Sequence, residues 1–316
     1  MKVLVTGGCG YVGSVLTGSL VAQGHDVSVV DLQWFGNHLP AELPVELLKL
    51  DVRDIDAIPL DGVDAVIHLA NVANDPGVEL DETLSWEINA LGTQQLADKA
   101  ARNGVGQFIF ASSGSVYGVK EEPDVTEDLS LVPISAYNKT KMVAERAVLS
   151  YQDAMQVHCI RPATVCGYSP RMRFDVSVNM FVMQAFRDQR MTVFGGDQVR
   201  PNIHIDDLVD VYHHFLANPS IPSGAYNAGF ENISILDIAD RVAALTGAEI
   251  VVSASNDPRS YRQNSDLLVS TGYQPRRDVQ AAIEDVYSRL TAGTLTDSDE
   301  WYTVRRMKQL ATAEQG

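Results

Sequence analysis

Three polar side chains in the middle of the chain have the types and the spacing for moving a proton. Tyr137 and Lys141 are four residues apart behind Ser135, a plausible helix N-cap, so a helix would place both on one face, about one turn apart. A phenol is a poor base at neutral pH, and lowering its pKa by roughly three units takes about 4 kcal/mol, which close positive charges could supply. Ser113 follows an apolar run and adds a hydroxyl at the end of a candidate strand. We predict Tyr137 as a base and Lys141 as its cationic partner, with the Ser113 hydroxyl at the carboxyl edge of the same sheet.

A glycine-spaced turn near the amino terminus has the pattern of a ligand-binding site. An apolar strand runs into glycines at positions 7, 10 and 13 and then into a helical pattern. Gly7 lets the chain turn, Gly10 lets backbone amides approach a pyrophosphate, and Gly13 lets the helix pack on the strand. The phosphates then lie at the positive end of a helix. The pattern predicts a dinucleotide cofactor.

Short apolar, β-branched runs alternate with helical patterns through the first half of the chain. The candidate strands are 2–6, 26–31, 45–50, 64–69, 106–111 and 156–161. Continuous apolar strands separated by helices are typical of a parallel sheet covered on both faces. We predict an α/β fold with a Rossmann-type doubly wound parallel sheet and a smaller α/β substrate-binding lobe.

The second candidate strand ends at Asp31, 18 residues after Gly13. A carboxylate there accepts hydrogen bonds from the adenosine ribose and repels a 2′-phosphate. The sequence therefore favours NAD over NADP.

Composition excludes several classes of function. The chain has 316 residues and a net charge of −17, so a nucleic-acid backbone or an anionic membrane surface would repel it. Three unpaired cysteines, no long apolar stretch and a strand beginning at residue 2 favour a cytoplasmic protein with structural thiols. No Gly-x-Ser-x-Gly elbow occurs, and His204, Asp206, His213 and His214 are too dispersed to predict a metal site.

In combination, these motifs resemble the extended short-chain dehydrogenase/reductase family, specifically its nucleotide-sugar epimerases and dehydratases. The resemblance extends from the glycine turn to about residue 290 and implies NAD as the cofactor. It implies Ser113, Tyr137 and Lys141 as catalytic residues. The expected cofactor-binding residues are Gly7, Gly10, Tyr11, Val12, Gly13, Asp31, Asp51, Val52, Leu69, Ala70, Asn89, Ser112, Tyr137, Lys141, Pro162 and Thr164.

The same resemblance implies a nucleoside-diphosphate sugar as the substrate. Ser113 and Tyr137 would contact the sugar, while Asn179, Arg200 and Arg259 resemble residues that grip the diphosphate. Arg171 and Arg173, in a segment predicted to be a loop, are further substrate-binding candidates. Local arginines would offset the negative charge of the chain as a whole.

The implied chemistry begins with oxidation at sugar C4 to a 4-keto species. Dehydratases of the family carry an Asp-Glu pair directly after the catalytic Ser or Thr, where this chain has Gly114 and Ser115. A 4-epimerase, which needs no further acid or base, is the leading hypothesis. The stretches 165–175 and 257–262 are more similar to GDP-heptose 4-dehydrogenases, which would release the ketosugar. A non-catalytic NAD-binding regulatory subunit is the third alternative.

The domain prediction places an NAD-binding domain at 1–165, with a later segment at about 201–230 returning to it. The nucleotide-sugar lobe would comprise 166–200 and 231–295, and 296–316 would be a loosely docked tail. Helices are expected at 209–216, 235–245 and 278–292. The resemblance also implies a homodimer built on the helices near 84–103 and 136–153.

Overall fold

Every strand of the central sheet comes from a short apolar run of the chain. The structure, a computed structural model, describes residues 1–255 and 260–313. The strands are β1 (Lys2–Thr6), β2 (Asp26–Val30), β3 (Val45–Leu48), β4 (Ala65–His68), β5 (Gln107–Ala111), β6 (Gln156–Pro162), β7 (Thr164–Cys166), β8 (Arg190–Phe194), β9 (Val199–His204), β10 (Gly224–Ala228), β11 (Glu231–Ser234) and β12 (Glu249–Ser253).

Helices connect most of these strands. They are α1 (Tyr11–Ala22), α2 (Asp75–Val78), α3 (Glu82–Trp86), α4 (Thr93–Arg102), α5 (Ala136–Leu149), α6 (Ser177–Asp188), α7 (Ile205–Ala217), α8 (Ile235–Thr246), α9 (Asp266–Ser270), α10 (Val279–Thr291) and α11 (Thr303–Ala313). A π-helical segment, Glu87–Gly92, joins α3 to α4, and short 3-10 turns occur at Ile55–Ala57, Gly114–Tyr117 and Asp299–Trp301.

The central sheet has seven strands in the order β10-β6-β5-β4-β1-β2-β3, and every pairing in it is parallel. The chain builds outward from β1 in both directions, which creates a topological switch point between β1 and β4, where ligands of such sheets bind. Val3, Leu4 and Val5 are fully buried, because helices cover both faces. The predicted fold class and the six expected strands are confirmed. The seventh strand, β10, was not predicted from periodicity.

Two smaller sheets lie beside the central one. One has the order β11-β9-β7, and the other pairs β12 with β8 in parallel. Their apolar side chains join those of α6, α8 and α10 in a second hydrophobic core that contains Phe174, Phe181 and Trp301. This core fixes the position of the segment between β7 and α6, which contributes to the functional site described below.

The helices expected at 209–216, 235–245 and 278–292 are present as α7, α8 and α10. Ser234 caps α8 through a capping box with Asp237.

The expectation of a loosely docked carboxyl-terminal tail is wrong for residues up to 313, because Trp301 is buried and α11 packs against α2. Among the described residues, no helix combines the length and the apolar character needed to cross a bilayer.

Candidate active site

A pocket of about 600 Å³ lies at the carboxyl edge of the central sheet, around the switch point. Its walls come from the segments that follow β1, β2, β4, β5 and β6, and from the segment between β7 and α6. Most of the predicted site residues meet there. Those that line it are Gly7, Gly10, Tyr11, Val12, Gly13, Asp31, Asp51, Val52, Leu69, Ala70, Ser112, Ser113, Tyr137, Lys141, Pro162, Thr164, Arg171, Arg173 and Arg200.

The glycine turn has the shape that a dinucleotide phosphate requires. Gly7 has a φ of 74°, and a Cβ there would lie 2.6 Å from the backbone nitrogen of Ala70. A Cβ on Gly13 would lie 2.1 Å from the Gly7 carbonyl oxygen. Helix α1 begins directly after Gly10 and has no acidic residue in its first turn, so its positive end faces the pocket uncompensated. This cradle fits the diphosphate of NAD.

Asp31 lies directly after β2, in the wall of the pocket. Its carboxylate accepts hydrogen bonds from the backbone nitrogens of Cys9, at 2.9 Å, and Gln33, at 2.6 Å. Burial raises the pKa of the carboxyl group, and these hydrogen bonds counter part of the increase. The backbone bonds fix the carboxylate in one orientation while leaving lone pairs that can accept ribose hydroxyls.

The three predicted catalytic residues converge on one wall of the pocket. Ser113 follows β5, and its hydroxyl lies 2.7 Å from that of Ser115. Tyr137 and Lys141 lie on α5, which begins at the N-cap Ser135; the Ser135 hydroxyl accepts a hydrogen bond from the Asn138 backbone at 3.2 Å. The Lys141 ammonium donates to the Ala111 carbonyl oxygen at 2.8 Å, and so reaches the end of the strand that carries Ser113.

The electrostatics of Tyr137 differ from the expectation of a lowered pKa. Burial raises the pKa of the phenol to about 12, and the neighbouring Ser113 hydroxyl and Arg173 charge counter part of this increase. Burial lowers the pKa of Lys141 to about 7. The cation-π contact of its ammonium, 5.0 Å from the centre of the Phe110 ring, favours the charged form and opposes this decrease. Ser113 and Arg173, rather than Lys141, therefore favour the phenolate in this structure.

A buried ion pair holds α5 against the sheet. Glu145 and Arg161 lie 2.6 Å apart with side chains 1% and 5% exposed, so they join the helix that carries Tyr137 to β6. The Ser112 hydroxyl donates to Glu145 at 2.6 Å, which ties in the end of β5 as well. Arg161 also donates to the hydroxyl of Tyr117, at 2.5 Å. Such a network fixes the distance between Ser113 and Tyr137.

Two predicted binding residues lie outside the pocket. Asn89 was expected to bind the cofactor, but it is buried behind the wall, where its amide exchanges hydrogen bonds with the backbone of Val72 at 2.7 and 3.0 Å. Asn179 was expected to bind substrate, but it is fully buried and donates to the Tyr11 hydroxyl and the Arg173 carbonyl oxygen. Both amides hold wall segments in place and have no contact with the pocket.

The predicted arginines have different surroundings. Arg173 forms an ion pair with Asp175 at 2.9 Å, and that pair raises the arginine pKa despite burial, which lowers it. Arg200 lines the pocket from β9. Arg171 is stacked 3.9 Å from the centre of the Phe35 ring. Arg259 lies outside the described residues.

The sequence interpretation missed a carboxylate near Tyr137. Asp75 lines the pocket, accepts a hydrogen bond from the Ser135 hydroxyl at 2.5 Å and raises the pKa of Tyr137 through its charge. The preceding residue, Asn74, has a φ of 63°, a conformation that costs an ordinary side chain of order 1–3 kcal/mol. Asn74 caps α2, and Pro76 follows Asp75 in the first turn. The Asn-Asp-Pro run was the available signal, since it is typical of a helix start.

The remaining candidates for chemistry are structural. Cys9, Cys159 and Cys166 are free and buried, and burial raises the pKa of each thiol, so none is activated. His213 bonds to Ser19 of α1, whereas the neighbouring His214 bonds to Thr271. Within the described ranges, no group of three or more His, Cys, Asp and Glu side chains is arranged to hold a metal ion.

Comparison with known proteins agrees with this geometry. Residues 3–229 match the profile of the NAD dependent epimerase/dehydratase family. The chain is 27% identical to a UDP-glucose 4-epimerase of Corynebacterium glutamicum over 92% of its own length and 96% of that protein. It is 30% identical to UDP-glucuronic acid decarboxylase 1 of Danio rerio over 87% of its own length and 69% of that protein.

The solved structures give the same answer for the fold. MoeE5 in complex with UDP-glucuronic acid and NAD superposes with a TM-score of 0.82 at 26% identity, covering 93% of this chain and all of that one. The profile match spans more than half of the chain and includes the glycine turn, Ser113, Tyr137 and Lys141. The chain therefore belongs to the NAD-dependent epimerase/dehydratase family of nucleotide-sugar enzymes, with NAD as its cofactor.

Proposed function

We propose that this enzyme is a nucleoside-diphosphate-sugar 4-epimerase, which oxidises the sugar at C4 and then reduces the ketone from the opposite face. The observation that carries the proposal is the convergence of Ser113, Tyr137 and Lys141 on one wall of the pocket. When bound, NAD supplies an acceptor for the C4 hydride and returns the hydride later. The glycine turn and Asp31 would hold NAD by its diphosphate and its adenosine ribose.

Tyr137 is the base in this proposal. Its phenolate takes the proton of the C4 hydroxyl and later gives a proton back to the product oxygen. Ser113 donates a hydrogen bond to that oxygen throughout, and Arg173 supplies positive charge that a buried phenolate needs. Arg200 contributes a cation for the substrate diphosphate.

The surroundings of Ser113 argue against dehydration. A Cβ on Gly114 would lie 2.9 Å from the Gln263 side-chain oxygen and 3.2 Å from the Pro162 carbonyl oxygen, so an acidic side chain at this position would have to displace the buried Gln263 side chain. The next residue, Ser115, bonds to Ser113. Neither position can supply the acid and base for loss of a C6 hydroxyl, whereas epimerisation requires neither.

The test is turnover of a panel of UDP-, GDP-, CDP- and dTDP-sugars, with and without added NAD. An epimerase inverts C4 without net NADH, which product stereochemistry and NADH absorbance report together. Stoichiometric NADH with a released ketosugar would identify a 4-dehydrogenase instead. NADH binding without turnover of any sugar would leave the regulatory-subunit alternative. Tyr137→Phe should abolish turnover and keep NADH binding, and retention of wild-type rates in this variant would remove Tyr137 from the role of base.

We also infer a homodimer. The helices expected to pair expose Trp86, Leu91 and Val143, which are 37%, 53% and 40% exposed. Exposed apolar side chains on adjacent helices favour association. Sedimentation should give twice the mass of the chain, and Leu91→Glu with Val143→Glu should halve it. A wild-type protein that sediments as a monomer at micromolar concentration would contradict the inference.

A further inference from the structure

Arg171 is a buried cation whose surroundings in the protein leave it unsatisfied. It is 3% exposed and lines the pocket from the segment between β7 and α6. Its Nε is buried and, among the residues that the structure describes, has no hydrogen-bond partner. A buried donor without a partner costs about 1–3 kcal/mol, and a buried cation costs more. Such a side chain points to an anionic ligand.

The charged groups around Arg171 include the acid of the dinucleotide half of the pocket, Asp31, as well as Arg173 and Asp175. Burial, followed by the neighbouring charge of Arg173, lowers the pKa of Arg171 to about 9, and Asp175, Tyr11 and Asp31 counter part of this decrease. Tyr11 is the first residue of α1, and Asp31 lies directly after β2. Arg173 has Asp175 as its ion-pair partner. Arg171 thus lies close to the glycine turn and to the acid expected to bind ribose.

The guanidinium of Arg171 is also stacked on the loop that follows β2. Its central carbon lies 3.9 Å from the centre of the Phe35 ring, and Phe35 lines the same pocket four residues after Asp31. A planar guanidinium on an aromatic face keeps its edge free for bidentate hydrogen bonds. Phosphate oxygens are the ligands that such an edge fits best.

The carboxyl-terminal segment 299–313 holds both partners of this stack. Arg306 donates from Nε to the Trp34 carbonyl oxygen at 2.8 Å, next to Phe35. The ring of Trp301 packs 4.9 Å from that of His38 in the same loop. The Trp301 carbonyl oxygen accepts from the Phe174 backbone at 3.0 Å, close to Arg171. The segment therefore joins the Phe35 loop to the Arg171 segment across the pocket.

We propose that Arg171 binds the diphosphate of NAD from the side opposite the glycine turn, and that residues 299–313 hold Arg171 and Phe35 in the binding position. This replaces the expectation that Arg171 binds the sugar substrate. The dinucleotide is then enclosed between the two lobes and dissociates slowly. The inference rests on the family's cofactor and not on the epimerase proposal.

The test measures NADH binding in three variants. Arg171→Met removes the cation, Arg306→Met removes the bond to the Phe35 loop, and Arg305→Met is the control. Arg305 is on the same helix, but it pairs with Asp299 and stacks on Tyr302, within its own segment. NADH-loaded protein is mixed with excess NAD to give the dissociation rate from nucleotide fluorescence, and titration gives Kd.

Arg171→Met should raise both the dissociation rate and Kd of NADH by about 10- to 100-fold, the value of a lost charge-assisted hydrogen bond. Arg306→Met should raise the dissociation rate several-fold, and Arg305→Met should behave as wild type. Unchanged NADH binding in Arg171→Met, with weakened binding of UDP or GDP, would overturn the proposal and return Arg171 to the substrate. Wild-type dissociation from Arg306→Met would overturn the role of the carboxyl-terminal segment.

A second substitution covers the case in which Arg171→Met loses its cooperative unfolding transition. Arg171→Lys keeps a positive charge but cannot make the planar bidentate contact. An NADH Kd at least fivefold higher than that of wild type would support the proposal. An NADH Kd equal to that of wild type in Arg171→Lys would contradict it.

Discussion

Two glycines of α1 provide a matched test of how the dinucleotide cradle is built. A Cβ on Gly13 would lie 2.1 Å from the Gly7 carbonyl oxygen and 2.7 Å from the Gly8 Cα. Both are backbone atoms, so no rotamer change can relieve the overlap. Ordinary carbon contacts are about 3.5–4.0 Å, so α1 would have to move away from the turn by about 1 Å or more. A Cβ on Gly18, in the same helix, meets no atom within 4 Å.

The magnitudes follow from these contacts. Overpacking against atoms that cannot rotate away costs about 2–3 kcal/mol, and alanine returns about 0.8–1.0 kcal/mol of helix propensity. Gly13→Ala should therefore lower the free energy of unfolding by about 1–2 kcal/mol. Gly18→Ala should raise it by about 0.5–1 kcal/mol. The displaced turn should also weaken NADH binding by about tenfold or more.

Urea denaturation gives the two stabilities, and NADH fluorescence titration gives the two affinities. The informative quantity is the difference between the variants, since both substitutions make the same chemical change on the same helix. Stability and NADH affinity of Gly13→Ala equal to those of Gly18→Ala would refute the argument that the close approach of Gly13 to the turn forms the cradle.

Three further predictions concern the carboxylates of the site. Glu145→Gln should destabilise the protein by about 3–5 kcal/mol in urea denaturation, because it leaves Arg161 buried without its charged partner. The control Arg102→Gln breaks the exposed pair with Asp98 and should cost less than about 1 kcal/mol, so similar losses in the two variants would contradict the reasoning. Asp75→Asn removes a negative charge that raises the Tyr137 pKa, so the rising limb of the pH profile of kcat/KM should move to lower pH by up to about one unit. The control Glu79→Gln should not move this limb, and a shift to higher pH in Asp75→Asn would exclude the coupling. Asp31→Ala should reduce the preference for NAD over NADP, measured as the ratio of the Kd values for NADPH and NADH. The control Asp26→Ala, at the exposed start of β2, should leave this ratio unchanged. An unaltered ratio in Asp31→Ala would remove Asp31 from this role.

Local features of the sequence were sufficient to predict the central sheet. Strands buried on both faces must be continuously apolar, so β1, β4 and β5 can be recognised in the sequence as nearly uninterrupted apolar runs. Strand β10, Gly-Ala-Tyr-Asn-Ala, has no such run, because its position at the sheet edge is fixed by pairing with β6. The tail was misjudged for a similar reason. Its polar composition does not indicate that Trp301 is buried, because this burial depends on packing in the second hydrophobic core.

Some residues of the candidate site could be predicted from local sequence, and the positions of others depend on tertiary packing. Glycine spacing, Asp31 and the Tyr137–Lys141 interval are local signals, and each requires a particular residue type at a particular position on the backbone. Asn89 and Asn179 have the residue types expected of ligand contacts, yet both amides are used entirely in holding wall segments. The direction in which a side chain points is set by packing between distant elements, which spacing does not encode.

The sequence by itself determined the parallel sheet, the dinucleotide turn and the three residues proposed to be catalytic, because backbone geometry and periodicity restrict residue types locally. Only the tertiary structure decided that the Asp75 charge lies near Tyr137, that Arg171 lines the pocket stacked on Phe35, and that Arg306 of the carboxyl-terminal helix bonds to the loop of Phe35. These are contacts between segments about 60 to 270 residues apart, such as Asp75 with Ser135 and Trp34 with Arg306. They depend on how the lobes pack, and no local pattern in the chain specifies that packing.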